Sequence, residues 1–411
     1  CGAKTAFYVG EGGVTFDVAG VARTVGNDGG DKAGFSGHPV GDFYVGSGDI
    51  TFTNTSETAG SIVFKELGLS RLTGRMIQCA PKQNSGDCTP PFLLPQAEYV
   101  VPADLDTYVY QMMDGYQDLW IGRLTGEGAF RIYGRNNYMD PVAHIGRDAD
   151  ETFTFGGRLC AFSISENNNA SARYMKIGTN RWRLTNPAGE VRSSTRVANG
   201  DVLIACEPSD GEAGALGFCD IYLGDTKTPP NGVPRVLTDG AYTITNHFRI
   251  LASAPATACP ALGGNAVTEA STFTGDIRLW HDIDLYSAGG TVTFTGAFLN
   301  GDGNPHAIAK RGPGKVIIQH ALPAFSAVNI AEGILELTAP FAIPEGATLD
   351  FDTSVCTKEN RHNIYTLLAC PGGVSGRFEV IADIPFDWKV IYANDAIHLV
   401  WAKRGTLIQF H

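Results

Sequence analysis

The chain has 411 residues, of which 43% are hydrophobic, only 18% are charged and 50 are glycine, and its net charge is −12. That acidic balance argues against nucleic acid and anionic membrane as partners, and no run reaches the roughly 18 apolar residues of a membrane span. Frequent Thr, Val, Ile, Phe and Tyr between glycines favour short strands and tight turns over helices, so the expected class is all-β.

The first residues, "TAFYVGEGGVTFDV", read as strands, as do Ile50-Thr51-Phe52-Thr53 and Ser61-Ile62-Val63-Phe64 beside glycine or asparagine turns. Residues 99–116, "YVVPADLDTYVYQMMDGY", are the stretch where one or two helical turns are expected. Phe130-Arg131-Ile132-Tyr133 is again strand-like, and it closes an N-terminal β-rich region placed at 1–134. A middle region, 135–271, is less regular. Its segments "RLCAFSISENNNASARYMKIG" and "NGDVLIACEPSDGEAGALGFCDIYLGD" read as long hairpins with irregular loops, which fits either a β-sandwich insertion or a run of loose coils. Asn54-Thr55-Ser56 and Asn169-Ala170-Ser171 are glycosylation sequons.

The last region, 272–411, repeats. A glycine or small pair followed by a strand occurs at 45–54 and 124–134, and then in quick succession at 288–297, 311–320 and 330–339. Gly290 to Gly314 is 24 residues, Gly314 to Gly333 is 19, and Gly346 follows 13 later. Spacing near twenty residues is what one coil of a β-solenoid needs, with three strands and three turns. In Ile334–Leu337, alternation puts Leu335 and Leu337 on one face and Glu336 on the other. One coil cannot bury that face alone, whereas stacked coils bury it continuously and pair their backbones. Glycine marks the corners, where φ is free to be positive.

Nine cysteines are present, none in a CxxC pair and none with a histidine cluster, so no metal is expected. Three spacings suit local bridges: Cys79 with Cys88, Cys206 with Cys219, and Cys356 with Cys370. Each would close a loop of about ten to fifteen residues, where a disulfide contributes on the order of 3 kcal/mol. This points to a secreted, oxidised protein. The odd cysteine is assigned to Cys1, either bridging a neighbouring subunit or carrying a lipid; pairing of Cys1 with Cys160 or Cys259 is the alternative. The chain opens on Cys1 without a methionine and reads as already processed.

The stretch "GPGKVIIQHALPAFSAVNIAEGILELTAP" (312–340) has a glycine-led strand, a polar turn and a second strand ending in a Gly-hydrophobic-x-Leu segment. In that order it resembles the autotransporter-associated β-strand repeat of bacterial surface proteins. The end of the chain also resembles the segment closing many such proteins, where a strand like Trp388 to Tyr392 meets one like Ile397 to Val400. The resemblance covers about 272–411 and, more weakly, 45–134. It implies a right-handed parallel β-helix on the outside of a bacterium. The export barrel of autotransporters has no counterpart in the sequence.

Chemistry-bearing groups are sparse. "RDADE" (147–151) and "NGDGNPH" (300–306) gather Asp148, Asp150, Glu151, Asp302, Asn304 and His306, but without the full set of oxygen ligands that calcium needs. Asp282 with Asp284 and Asp350 with Asp352 have the i, i+2 spacing that could present two carboxylates on one strand face. There is no GxSxG, HExxH or P-loop. Trp120, Trp182, Trp280, Trp388 and Trp401 are either a sugar platform or core packing. The expectation is therefore a non-enzyme with no catalytic, cofactor or metal residues: an extracellular or cell-surface structural protein whose partners are copies of itself and, secondarily, surface polysaccharide. Thr406, Leu407, Ile408 and Phe410 in the last strand-like segment are the assembly candidates. The alternatives are a carbohydrate-active β-helix enzyme (a polysaccharide lyase or hydrolase) and a monomeric lipid-anchored adhesin.

Overall fold

In the computed structural model the described residues are 119–134, 142–163, 172–208, 214–251, 259–385 and 387–402, with nine strands between Thr5 and Tyr110 before them. Cys1, Cys88, both sequons in full and Thr406, Leu407, Ile408 and Phe410 lie outside the described residues. The described chain is all-β and has no helix. It forms two compact units, Cys1–Val202 with Pro208–Asp220 and Leu203–Glu207 with Ile221–His411.

In the first unit the strands pair in parallel, each with the equivalent strand of the next coil. Leu93–Val101 lies beside Leu119–Gly126. The latter then splits, its first residues pairing with Val142–Ile145 and its last with Thr152–Phe155. Val142–Ile145 continues to Arg173–Lys176 and Ser194–Val197, and Thr152–Phe155 to Arg181–Leu184. A third series runs Asp106–Tyr110, Ala129–Gly134, Leu159–Ser163 and Glu190–Val191. Two expectations are corrected by this pattern. In the described part of the middle region the paired strands are parallel and belong to successive turns, so of its two readings the run of coils holds, and the β-sandwich and the long hairpins do not form there. Within 99–116, the stretch expected to hold one or two helical turns, the strands Leu93–Val101 and Asp106–Tyr110 are found; Asp106–Tyr110 has a parallel partner in Ala129–Gly134, so pairing overrides the local signal there, and 111–116 lie outside the described residues.

The second unit has three faces. Face A carries Phe248–Ile250, Ile277–Leu279 and Phe298–Asn300. Face B runs from Pro234–Thr238 through Ala261–Gly264, Ile283–Ser287, His306–Arg311, Phe325–Ile330 and Thr348–Phe351 to Glu379–Val380. Face C runs Thr243–Ile244, Ala270–Phe273, Thr291–Phe294, Lys315–Ile318, Ile334–Leu337 and Ile364–Ala369. It ends differently, in an antiparallel hairpin: Ala396–Trp401 pairs with Ile364–Ala369 on one side and Trp388–Tyr392 on the other. The two closing strands anticipated from the sequence are this hairpin.

The glycine spacing has a direct cause. Thr291, Lys315 and Ile334 are register partners, so Gly290, Gly314 and Gly333 stack at one corner. A Cβ on Gly314 would stand 2.5 Å from the Gly290 carbonyl oxygen, and one on Gly333 would stand 2.2 Å from that of Gly314. Gly346 does not extend the series. It turns into Thr348–Phe351 on face B, with open space around it.

Alternation fills the interior. Leu335 and Leu337 point inward while Glu336 pairs with Lys315 across the coils at 2.5 Å. Phe248, Phe273, Phe294 and Phe298 form an aromatic column with ring centroids 4.9 to 5.8 Å apart. Each buried ring contributes about 1.5–3 kcal/mol. The first unit is filled likewise by Tyr99, Phe130, Tyr174 and Trp182, all essentially unexposed.

Candidate functional site

The acidic and histidine residues singled out from the sequence do converge in part. On face B, Asp284 faces outward between the inward Ile283 and Leu285. Asp282 precedes that strand, and His306 opens the strand of the next coil. His306 Nε2 lies 2.9 Å from Asp302 Oδ1, and its Nδ1 lies 3.9 Å from Asp282 Oδ1. Asp282 Oδ1 also accepts the Ala307 N–H at 2.7 Å. Asn304 donates its side-chain and backbone N–H to Asp302, each at 3.0 Å. Those two donors, followed by His306, hold the Asp302 carboxyl well below the usual range.

Asp284 is in a different setting. Burial raises its pKa, while Arg311 Nε at 3.3 Å and the Cys259 thiol at 3.2 Å donate to it and oppose the rise. Burial, then the Asp284 charge, pushes the Cys259 thiol far up, so this sulfur is a hydrogen-bond donor and a poor nucleophile. The cluster therefore ties the 301–306 loop to the preceding coil. Each carboxylate has a local partner to hold.

The remaining candidates are dispersed. Asp350 accepts from Asn329 at 3.1 Å, and Asp352 accepts from Ser354 in a turn at 2.8 and 2.7 Å. In the first unit Glu151 binds Arg147 at 2.6 Å and Arg123 at 3.4 Å, Asp150 pairs with Arg181, and Asp148 accepts the Thr179 N–H. Among the described residues no group of three or more His, Cys, Asp and Glu side chains could hold a metal ion. Of the tryptophans, Trp182 and Trp388 are buried, Trp388 meets Trp401 edge-on at 5.8 Å, and Trp120 stacks on His144 at 4.1 Å.

Of the three bridges expected from cysteine spacing, the two that lie among the described residues are not formed. No disulfide joins Cys206 to Cys219 or Cys356 to Cys370; these four, with Cys160 and Cys259, are thiols. The physical reason is that the coil sets direction more than sequence distance does. Cys219 directs its thiol to the Leu216 carbonyl at 3.4 Å and toward Thr195 on the adjacent coil, and burial pushes it up to about 11. Cys370 is buried at the end of its strand, its N–H bonded to Asp395 O, while Cys356 sits in the turn after Phe351. Cys79 lies on the strand Arg75–Cys79, and its proposed partner Cys88 is outside the described residues.

One feature not anticipated from the sequence occurs, among the described residues, once in each unit. Lys176 Nζ donates to the carbonyls of Ile177, Gly178 and Asn199 at 2.6, 2.9 and 3.2 Å. Lys310 Nζ donates to those of Arg311, Gly312 and Glu332 at 2.8, 2.5 and 3.2 Å. Both lysines have no exposed surface. Gly178 and Gly312 turn the chain with φ of 67° and 76°, and Gly200 and Gly333 on the next coil share a φ of 69°. A Cβ at Gly200 or Gly333 would stand 2.8 Å from the ammonium. Burial pulls Lys176 down to about 7 and Lys310 down to about 8, against the acidic groups Asp201 and Glu332 nearby. The available signal was a lysine ending an apolar strand, a glycine two residues on, and another glycine one coil later, in a chain poor in lysine.

No family model matches the sequence, and no curated protein matches it.

Proposed function

We propose that the chain is an extracellular structural protein that assembles with copies of itself through the edges of its sheets. The observation that carries this reading is the hairpin at the end of face C. Trp388–Tyr392 pairs with Ala396–Trp401 and, among the described residues, with no other strand. Ala393 N–H donates to Ala396 O and Ala402 N–H to Asp387 O. Alternation from those two bonds aims the N–H groups of Val390 and Tyr392 away from the hairpin, toward the open edge. An open edge is a template for another strand. A contact between different surfaces of two copies generates a filament when it does not close. Thr406, Leu407, Ile408 and Phe410, which lie outside the described residues, stay the sequence's candidates for assembly.

The test is negative-stain microscopy of the purified chain beside Val390→Pro. That substitution removes an outward N–H and leaves the bonds to Ala396–Trp401 in place. Fibres from the unaltered chain that are lost in the variant, with the strand content unchanged, support the reading. Single particles from the unaltered chain at all concentrations sink it.

A further inference from the structure

Face C of the second unit carries a patch that sheet-edge assembly does not use. Three successive coils contribute Thr243–Ile244, Ala270–Phe273 and Thr291–Phe294 in unbroken parallel register, with Thr243, Thr272 and Thr293 aligned. The ladder continues one residue further. Thr274 N–H donates to Ile244 O and Thr295 N–H to Phe273 O, both at 2.8 Å, so Thr245, Thr274 and Thr295 form a second column. Between the columns Ile244, Phe273 and Phe294 point inward and are buried, the two rings stacked at 4.9 Å. The threonines are half-buried or exposed. Thr291 and Ala270 extend the patch, and none of these outward positions is charged. The next coil replaces the pattern with Lys315 and Ile317, which bounds it.

The second column also repeats one side-chain conformation. Thr274 Oγ1 lies 3.5 Å from Ile244 O, and Thr295 Oγ1 lies 3.4 Å from Phe273 O. Each hydroxyl donates back to the preceding coil, so the hydroxyl oxygens recur at the coil spacing. That spacing is about 4.8 Å, and residues i and i+2 are about 6.7 Å apart along a strand. The result is an uncharged lattice of hydroxyl and methyl groups in two directions. β-Branched threonine loses little side-chain freedom when such a surface is covered.

The chemistry narrows the partner. The one carboxylate at the patch is Glu207, which accepts the Thr243 N–H at 2.8 Å at its first coil; the outward threonines carry no charge to attract an ionic polymer. Without an exposed ring it offers a sugar nothing to stack on. Its apolar area is small, so a second copy gains little by covering it. What it fits is a surface of oxygens that is itself periodic in two directions. The two spacings lie near the oxygen repeats on a prism face of ice. We propose that this threonine lattice binds ice, ordering water between its columns into the crystal's own arrangement.

The experiment uses the full chain and ice as the probe. Protein is partitioned into a slowly grown ice hemisphere, and grain growth is followed in a frozen sucrose solution. The expected result is enrichment of the chain in the ice and arrested grain growth. Both are expected to be lost in the double variant Thr272→Lys, Thr293→Lys and kept in Thr348→Lys on face B. Thr272→Ser, which removes a single methyl group, guards against misfolding of the double variant and is expected to weaken both readouts. Exclusion of the folded chain from ice overturns the proposal, as does ice binding that the double variant leaves intact. A dimer, or adsorption to microcrystalline cellulose, that the same double variant abolishes would assign the face to that partner and overturn it too.

Discussion

Gly333→Ala tests the coil-stacking argument most directly, because Gly346→Ala is its built-in control. Both glycines have positive φ, 69° and 75°. An alanine in that region costs about 1–2 kcal/mol at either site. Only Gly333 is crowded: its added Cβ would lie 2.2 Å from Gly314 O, 2.7 Å from Gly312 O and 2.8 Å from Lys310 Nζ. Around Gly346 a Cβ meets nothing within 4 Å. Forcing a methyl into a filled site costs about 1–3 kcal/mol more. The expected losses are therefore about 2–5 kcal/mol for Gly333→Ala, combining both effects, and about 1–2 kcal/mol for Gly346→Ala. Urea unfolding of the two variants, followed by circular dichroism at matched slope, measures the difference. Equal losses would refute the idea that close approach between coils, and not φ alone, places glycine at Gly290, Gly314 and Gly333.

Further outcomes follow from other contacts. Phe294→Ala should lose about 3–5 kcal/mol, the range for a buried ring, because it opens the column between Phe273 and Phe298; a smaller loss in urea would mean the column collapses around the gap. Arg147 holds the Glu151 carboxyl below its usual value, so the stability it contributes is present above the unfolded pKa and fades as pH falls through the folded one. Melting temperatures below pH 5 should therefore fall less steeply in Glu151→Gln than in the unaltered chain. Lys310 has the opposite linkage: its folded pKa, about 8, lies below the ordinary lysine value of 10.5, so the unfolded chain holds the extra proton between them. Stability should climb from pH 8 toward 10.5, and Lys310→Met should remove that climb. Peptide mapping without reductant should recover Cys206, Cys219, Cys356 and Cys370 as thiols; a 206–219 or 356–370 cross-link would contradict the described geometry.

The part of the fold that was legible came from places where one residue type answers one constraint. Gly290, Gly314 and Gly333 could be counted because the corner excludes any side chain, and Leu335 and Leu337 because alternation maps to the interior. The middle region was harder. Its register partners Val142 and Arg173 are 31 positions apart, whereas Arg173 and Ser194 are 21 apart, so no period emerges by counting. The Asp282, Asp302 and His306 cluster was named from the sequence as two separate groups. Their proximity depends on which coil lies beside which, and no local signal carries that. The cysteine spacing misled because distance along the chain says little about direction once the backbone winds. The buried lysines were passed over because lysine is normally a surface residue, and only the three carbonyls around each Nζ explain its place.

Those two lysines have a consequence for the environments the protein can tolerate. Where several backbone carbonyls converge, a dissolved cation is one way to balance them, and such a corner opens when the cation is diluted or taken up by a chelator. Here the group that balances them, a side-chain nitrogen that donates hydrogen bonds, is covalently attached to the chain at Lys176 and Lys310. It cannot be washed out, exchanged or sequestered, so these corners keep their closure in fresh water and in the presence of metal-binding polymers alike.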